Sequence, residues 1–477
     1  MRHEDLFSVS QKEEKVFLTK GGFLMYRFIS MQVTAAILVL ALLPAGEAAE
    51  RVVSLGEAIA LSLEGNHELR AAGNGLAAKH EDVGIARSLL LPRLSFEERF
   101  MRTANPTYAF MAKLNQERFT QQDFAIDSLN SPRPVNDFQT AVLFEQAVFV
   151  PKAFIGLDMA REDFRARGEE YDRKREETVY AVFRAYCGVQ TSRVYVTVAE
   201  KAVEDAAEHR RIAEVRYDSG LGLYSDSLRA DVALTEAEER LVTARKNLEV
   251  ARRGLGLLLG LAESVDVKED RPSLAVRDLE YYYQASQARK DLLSVEARYR
   301  NAENSLKLAN AGYLPMVGVG GSYQLNDHRR PFGSEGDSWQ VTAFLRWELF
   351  DGTKREHERR KARSVIAEAG EYREGLRKYI SFQVYESYLA VEEARKGLEL
   401  ARKASQSAEE GRRLVRARYE NSLSTIVDLL DVQTALDAAR ANVAAKEGAY
   451  LTAVANLGFQ SGTIMKDLDR EMTGGIR

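Results

Sequence analysis

Apolar residues along most of this chain recur at threes and fours, as Val179, Val182, Tyr186, Val189 and Val196 do, which is the spacing of one packed face of a helix. The pattern predicts a helix from about Leu55 to Leu90, a very long one from about Ala153 to Tyr217, and a return helix ending near Leu261. A second set covers Leu279 to Ala311, Lys354 to Tyr419 and a last helix ending near Leu457. Pro92 and Pro315 close the first helix of each set, as proline does. Roughly 65 residues at about 1.5 Å each give the long helices a length of about 97 Å, more than a globular core needs.

Between these helices the period changes to two. Trp339, Val341, Ala343, Leu345, Trp347 and Leu349 alternate with Gln340, Thr342, Phe344, Arg346 and Glu348. Phe138, Thr140, Val142, Phe144 and Val148 form a similar face, as do Leu94, Phe96 and Phe100, and Val317, Val319 and Tyr323. Strands of about 9–11 residues with one apolar side are the signature of a transmembrane β-barrel, and Trp339 and Trp347 suit its aromatic girdle. Alternation alone fits two half-buried hairpins in a soluble domain equally well. Four strands cannot close a barrel, and an open edge in lipid leaves backbone groups unpaired. If these strands span a membrane, several chains share one barrel, and three chains supply 3 × 4 = 12 strands.

The two sets are copies of one unit. Arg216-Tyr217-Asp218-Ser219-Gly220-Leu221 matches Arg418-Tyr419-Glu420-Asn421-Ser422-Leu423, an offset of 418 − 216 = 202. The same offset pairs Tyr186 with Tyr388, Asp226 with Asp428, Leu234 with Leu436 and Gly256 with Gly458. Upstream, Leu91-Pro92 pairs with Leu314-Pro315, an offset of 223, so the first copy holds 223 − 202 = 21 extra residues. Their place is between Met101 and Asp137, where Asn105-Pro106 and Ser131-Pro132-Arg133-Pro134 read as a long loop. The division expected is an export region at 1–49, a first repeat at 50–262, a linker at 263–273 containing Pro272, a second repeat at 274–462 and a tail at 463–477.

The uncharged run from Val33 to Leu43, with Arg27 before it and Pro44-Ala45-Gly46-Glu47-Ala48-Ala49 after it, has the form of a cleaved export signal. It is short for a bilayer span, and no other segment resembles a transmembrane helix. The charged stretch before it suggests that translation begins at Met25 or Met31. A formal net charge of -4 from 67 basic and 71 acidic residues gives no footprint for nucleic acid. The single cysteine, Cys187, excludes an internal disulfide and reads as a small buried apolar group. No phosphate-binding or dinucleotide motif is complete. His67, His80 and His357 each precede a glutamate without a second histidine four residues on, and His209 and His328 are isolated. The sequence therefore assigns no catalytic residue, no metal site and no cofactor. The competing assignment is a periplasmic adaptor or coiled-coil scaffold, but an adaptor has one helical hairpin where this chain has two.

Leu55-x-Glu57-Ala58-Ile59, Asn66-x-x-Leu69, the two Leu-Pro pairs, Leu349-Phe350-Asp351-Gly352, Tyr217-x-x-Gly220-Leu221 with Ser225-Asp226, and Asp428-x-x-Asp431 occur in this order. The chain thereby resembles the TolC family of outer-membrane efflux proteins over nearly all its length beyond the export region. The resemblance implies a mainly α fold with a membrane β-barrel portion. Long helical hairpins would form a trimeric α-barrel tunnel in the periplasm, with four strands per chain in a shared 12-stranded barrel in outer-membrane lipid. It implies a homotrimer that docks to a periplasmic adaptor (membrane fusion) protein and to an inner-membrane pump or an ABC exporter of a type I secretion system. The exported substrate is not readable.

The turns at Gly220-Leu221 and Ser422-Leu423 would then be periplasmic tips that touch the adaptor. Spacing of three puts Asp428 and Asp431 on one helix face, and the resemblance assigns them to the tunnel's periplasmic constriction. It also pairs Asp226 with Tyr419 in holding the closed state. Ordinary helix-start chemistry remains an alternative for Asp428, and Ser225 is a candidate cap beside Asp226. Phe96, Phe144, Trp339 and Trp347 would face lipid. The chain departs from the family at His67, where proline is usual, at Phe149-Val150-Pro151-Lys152, and at Ser424, where some members carry a basic gate residue.

Overall fold

The computed structural model describes residues 51–269, 272 and 274–474, with side chains to residue 469; the export region lies outside the described residues. Each repeat begins with two helices, then two strands, then a long helical hairpin. The first has α1 (Leu55–Gly65), α2 (His67–Ser88), β1 (Arg93–Thr103), β2 (Val135–Phe149), α5 (Pro151–Asp218) and α6 (Tyr224–Leu258). Between β1 and β2 stand α3 (Pro106–Asn115) and α4 (Ile126–Asn130). The second has α7 (Leu279–Ser286), α8 (Lys290–Ala311), β3 (Met316–Asp327), β4 (Gly336–Arg346), α9 (Lys354–Glu420) and α10 (Ile426–Ser461), followed by α11 (Ile464–Gly474).

Both long helices form as the periodicity predicts, with 68 and 67 residues. The helix expected over Leu55–Leu90 is two helices. Asn66 ends α1 in an extended conformation, and its Oδ1 accepts from Leu69 N at 3.0 Å to start α2. Its Nδ2 donates to Leu258 O at 3.0 Å, so the break is locked onto the end of α6. Arg289 marks the equivalent break before α8. The stretch expected to be a linker carries a short strand, Val265–Val267, which is fully buried. Residues 463–477 open with α11, whose Ile464 and Leu468 enter the main core. The 21 extra residues fold largely as α3 and α4, because Asn105 caps Pro106 at the helix start and Ala109 and Ala112 pack on Val135.

The core lies midway along the long helices. Val179, Val182, Phe183, Tyr186 and Val189 of α5 meet Ile59, Leu248, Leu255, Val265 and Ile464. Cys187 is buried there. Below the core α10 runs beside α5, and Gly448 allows the close approach, since a Cβ there would lie 2.5 Å from Thr191 Oγ1. Two arginines receive the last carbonyls of α10: Arg173 donates to Phe459 O and Arg289 to Gln460 O, both at 2.9 Å.

The four long strands form one antiparallel sheet in the order β1-β2-β3-β4. The motif Leu349-Phe350-Asp351-Gly352 sets the exit into α9: Arg355 pairs with Asp351 at 3.1 Å and donates to the carbonyls of Glu348 and Leu349. In the first repeat Pro151 occupies the first turn of α5 instead, a position that tolerates its missing N–H.

Candidate functional site

Register shows which side chains share a face of the sheet. Phe96 pairs with Val142, Val142 with Tyr323, and Tyr323 with Trp339. Leu94 pairs with Phe144, and Phe144 with Gly321, which pairs with Val341. Paired residues project to the same side, so the four alternating patterns merge into one apolar face. Its members are open to solvent, with Phe96 at 60% and Trp339 at 74% exposure. The opposite face carries Arg99, Gln139, Gln324, Gln340 and Arg346, with Phe344 lying over Gly318. An exposed apolar face opposite a polar one is the two-sidedness of a barrel wall between lipid and water. Trp347 falls just beyond β4 rather than within it, and its indole Nε1 donates to Tyr313 O at 3.1 Å. Trp339 lies three residues from the start of the strand, toward its other end. Among the described residues no helix is long and apolar enough to cross a membrane.

At the far end of the helical hairpins the two tips are superposable motifs. Leu221 N donates to Arg216 O and Gly220 N to Tyr217 O; Leu423 N donates to Arg418 O and Ser422 N to Tyr419 O. These are Schellman closures, which need a left-handed residue after the helix. Gly220 supplies it at φ 68° without cost, while Ser422 adopts φ 63°. Ser422 Oγ accepts from Arg216 Nη2 at 2.9 Å. Leu221 and Leu423 point outward at 71% and 67% exposure.

Arg216 joins the tips. Its Nη1 donates to Tyr419 O at 3.0 Å, and its guanidinium stands 4.9 Å from the Tyr419 ring centroid. Tyr419 is buried against Ile426 and Leu429, and burial raises its phenol pKa above the usual value. The guanidinium that crosses this seam therefore comes from the first hairpin, while Arg418 of the second turns back to donate to Leu423 O in its own tip. Sequence reasoning did not assign Arg216; its signal was the alignment of Arg216-Tyr217 with Arg418-Tyr419.

Asp428 is the third residue of a capping box. Its Oδ2 accepts from Thr425 N and Thr425 Oγ1, both at 2.8 Å, and Thr425 Oγ1 accepts from Asp428 N. These bonds, the Thr425 backbone N–H foremost, hold its carboxyl below the usual range. Helix-start chemistry thus accounts for one oxygen of Asp428, and the residue stays exposed. Asp431, one turn on, is also exposed. The first tip lacks this device because Leu223 stands where Thr425 would be; Ser225 does not cap, and Asp226 instead pairs with Arg229 at 3.7 Å.

Two histidines are less isolated than their sequence positions suggest. His328 Nδ1 lies 2.5 Å from Glu335 Oε2. Asp327, His328 and Glu335 bring possible ligand atoms within 4.8 Å of one another. The protein's own donors already engage them, since Arg329 pairs with Glu335 and the Arg329 and Arg330 amides donate to Asp327. His209 is buried between the hairpins, 3.4 Å from Gln433, which also donates to Asp205 and Asp437.

The profile of the family described as outer membrane efflux protein matches residues 58–261 and 281–463. Outer membrane protein TolC of Vibrio cholerae is 21% identical over 436 residues, covering 89% of this chain and 94% of that protein. The alkaline protease secretion protein AprF of Pseudomonas aeruginosa is 22% identical over 435 residues, covering 86% and 85%. The crystal structure of the outer membrane protein VceC of Vibrio cholerae superposes with a TM-score of 0.71 at 16% identity, covering 86% of this chain and 96% of that one.

Proposed function

The chain belongs to the outer membrane efflux protein family, whose channels are transport proteins rather than enzymes, and from that premise we propose that three copies form one outer-membrane duct serving a tripartite efflux pump or a type I secretion exporter. One observation carries the assembly. Phe183 and Cys187 of α5 are 0% and 2% exposed, and Tyr180 stacks on Phe459. Their repeat equivalents on α9, at 385 − 183 = 202, are Tyr385, Leu389 and Phe382, exposed at 45%, 48% and 58%. Side chains that one repeat buries inside the chain stand bare in the other. A neighbouring copy that repeats the internal packing covers them, and such a head-to-tail contact closes into a ring.

The sheet also demands closure between copies, and three is the number the family implies. β1 and β4 are both edges, and lipid tolerates no unpaired edge. Pairing β4 of one copy with β1 of the next yields 3 × 4 = 12 strands. The helical hairpins extend from the membrane side of this wall into the periplasm, and their tips at Leu221 and Leu423 meet the periplasmic adaptor. An adaptor or scaffold role is not favoured, because the family match spans both repeats.

The test is the mass of the gently extracted protein. A heat-modifiable trimer in the outer-membrane fraction is expected, and Tyr385→Asp with Leu389→Asp should leave monomers. A stable monomer from the wild-type chain would overturn the assembly.

A further inference from the structure

The segment between β1 and β2 is present only in the first repeat, and its place in the fold follows from register. The helices join the sheet at one end, before β1 and after β2, so this segment stands at the opposite, outer end. Asp137, Gln139 and Asn326 all belong to the polar, lumen-side face, because Gln139 pairs with Asn326 and Phe138 projects the other way. α3 sits on that side. Gln116 Nε2 donates to Asp137 Oδ1 at 2.9 Å and to Asn136 O at 2.8 Å. Asn326 Nδ2 donates to the same Asp137 oxygen at 2.9 Å. Gln116, Asp137 and Asn326 are each 1% exposed. Gly336, which pairs with Asn326, has no room for a Cβ, which would fall 2.2 Å from Asn115 O. The insert therefore folds inward over the lumen wall. The β3–β4 loop goes the other way, with Phe332 stacked on Phe96 of the apolar face.

The insert is held in shape by its own contacts: Lys113 pairs with Asp123 at 2.6 Å, and Phe119 makes edge contacts with Phe110 and Phe124. Its free side is apolar. Tyr108, Met111 and Leu114 are 59%, 48% and 42% exposed, at a spacing of three that runs them along one side of α3, turned from Ala109 and Gln116. A water-filled mouth gives no reason for that stripe.

Dimensions identify what covers it. Twelve strands about 4.8 Å apart and tilted by about 40° enclose a backbone diameter of about 24 Å, a radius of about 12 Å. A helix with its side chains is about 10–12 Å across, so α3 docked on the wall reaches the axis. We propose that the inserts of three copies meet over the lumen through Tyr108, Met111 and Leu114 and constrict the outer mouth of the duct. This rests on the trimeric reading above, and it makes the duct a channel with a closure at each end.

The experiment uses the full chain with Met111→Cys; the native Cys187 is buried and leaves the new thiol as the accessible one. Oxidation should link one pair of chains per trimer, seen as a dimer band on a non-reducing gel. A second variant replaces residues 106–130 by a short glycine-serine turn. Neutral polymers added on the outer side, which the wild type excludes, should enter it and lower its conductance. Trimers that are intact on a native gel but neither cross-link nor change their polymer exclusion would overturn the constriction and leave the trimer standing. Absence of any trimer would overturn the assembly and the constriction together.

Discussion

The Arg216 guanidinium lies 4.9 Å from the Tyr419 ring and donates to the Tyr419 carbonyl oxygen, so one side chain of the first hairpin holds the last turn of α9 in the second. A cation over an aromatic ring contributes about 0.5–2 kcal/mol, and hydrogen bonds to charged groups about 1.5–3 kcal/mol. If the tips part when the duct opens, this contact belongs to the closed state. Arg216→Ala is then expected to weaken closure by about 1–3 kcal/mol, a 5- to 150-fold rise in open fraction. Single-channel recording in planar bilayers reads this directly. Conductance and open probability equal to wild type would remove Arg216 from the gate.

The two tip acids differ in what binds them, and their substitutions should separate. Asp431→Asn removes an exposed charge from the second turn of α10 and should weaken cation preference without disturbing the helix start. Asp428→Asn removes the charge but keeps an amide oxygen that can accept from Thr425, whereas Asp428→Ala removes charge and capping box together, so the alanine variant should also loosen the tip. The pH dependence follows from the sign of the shift. Asp428 is held below 3.8, so its cap contributes fully above that value and is lost as pH falls through the lowered one. Cation preference in the Asp431→Asn background should therefore persist through pH 5 and fade only in strong acid. Selectivity unchanged in the double variant Asp428→Asn with Asp431→Asn would place the constriction elsewhere.

The tip leucines are the strongest candidates for partner contact, since Leu221 and Leu423 stay largely uncovered in this chain at 71% and 67% exposure. Leu221→Asp combined with Leu423→Asp should abolish efflux in cells while trimer levels stay normal. Measured adaptor binding should fall in parallel. Full efflux in that double variant would show that the adaptor grips another part of the hairpins.

Much of this architecture was legible because periodicity reports directly on packing. The alternating runs located all four strands, and the 202-residue offset located both tips. Element breaks were less legible. The apolar period of Leu55–Leu90 runs through Asn66 without showing the break; its capping bond to Leu69 N is local, but its second anchor, Leu258 O, is nearly two hundred residues away. The same limit hid Arg216, whose partners Tyr419 and Ser422 are on the other hairpin. The 21-residue insert was visible as extra length with proline, but its helices form through contacts with Val135 and Asp137 on the sheet. Local composition reports on such long-range pairs only weakly.

The repeat also allows one residue type to be tested in two settings. Gly256 and Gly458 are equivalents near the ends of α6 and α10. Each accepts the closing bond of its helix, from Leu261 N at 2.9 Å and Thr463 N at 2.7 Å. Each is followed by a left-handed glycine, Gly260 at φ 75° and Gly462 at φ 74°. Their surroundings differ. A Cβ on Gly256 would lie 2.1 Å from the Glu263 carbonyl oxygen, whereas on Gly458 it would lie 3.4 Å from Ile464 Cα. The first clash is with backbone that the buried strand Val265–Val267 fixes in place; the second is ordinary contact. Alanine in a helix interior is otherwise favoured over glycine by about 0.5–1 kcal/mol. Gly458→Ala should therefore be neutral or slightly stabilising, and Gly256→Ala should cost about 1–3 kcal/mol through overpacking. The temperature at which the detergent-solubilised protein dissociates should fall for Gly256→Ala and hold for Gly458→Ala. Equal shifts would mean that the chain after α6 yields as readily as the one after α10, and that the strand does not fix Glu263.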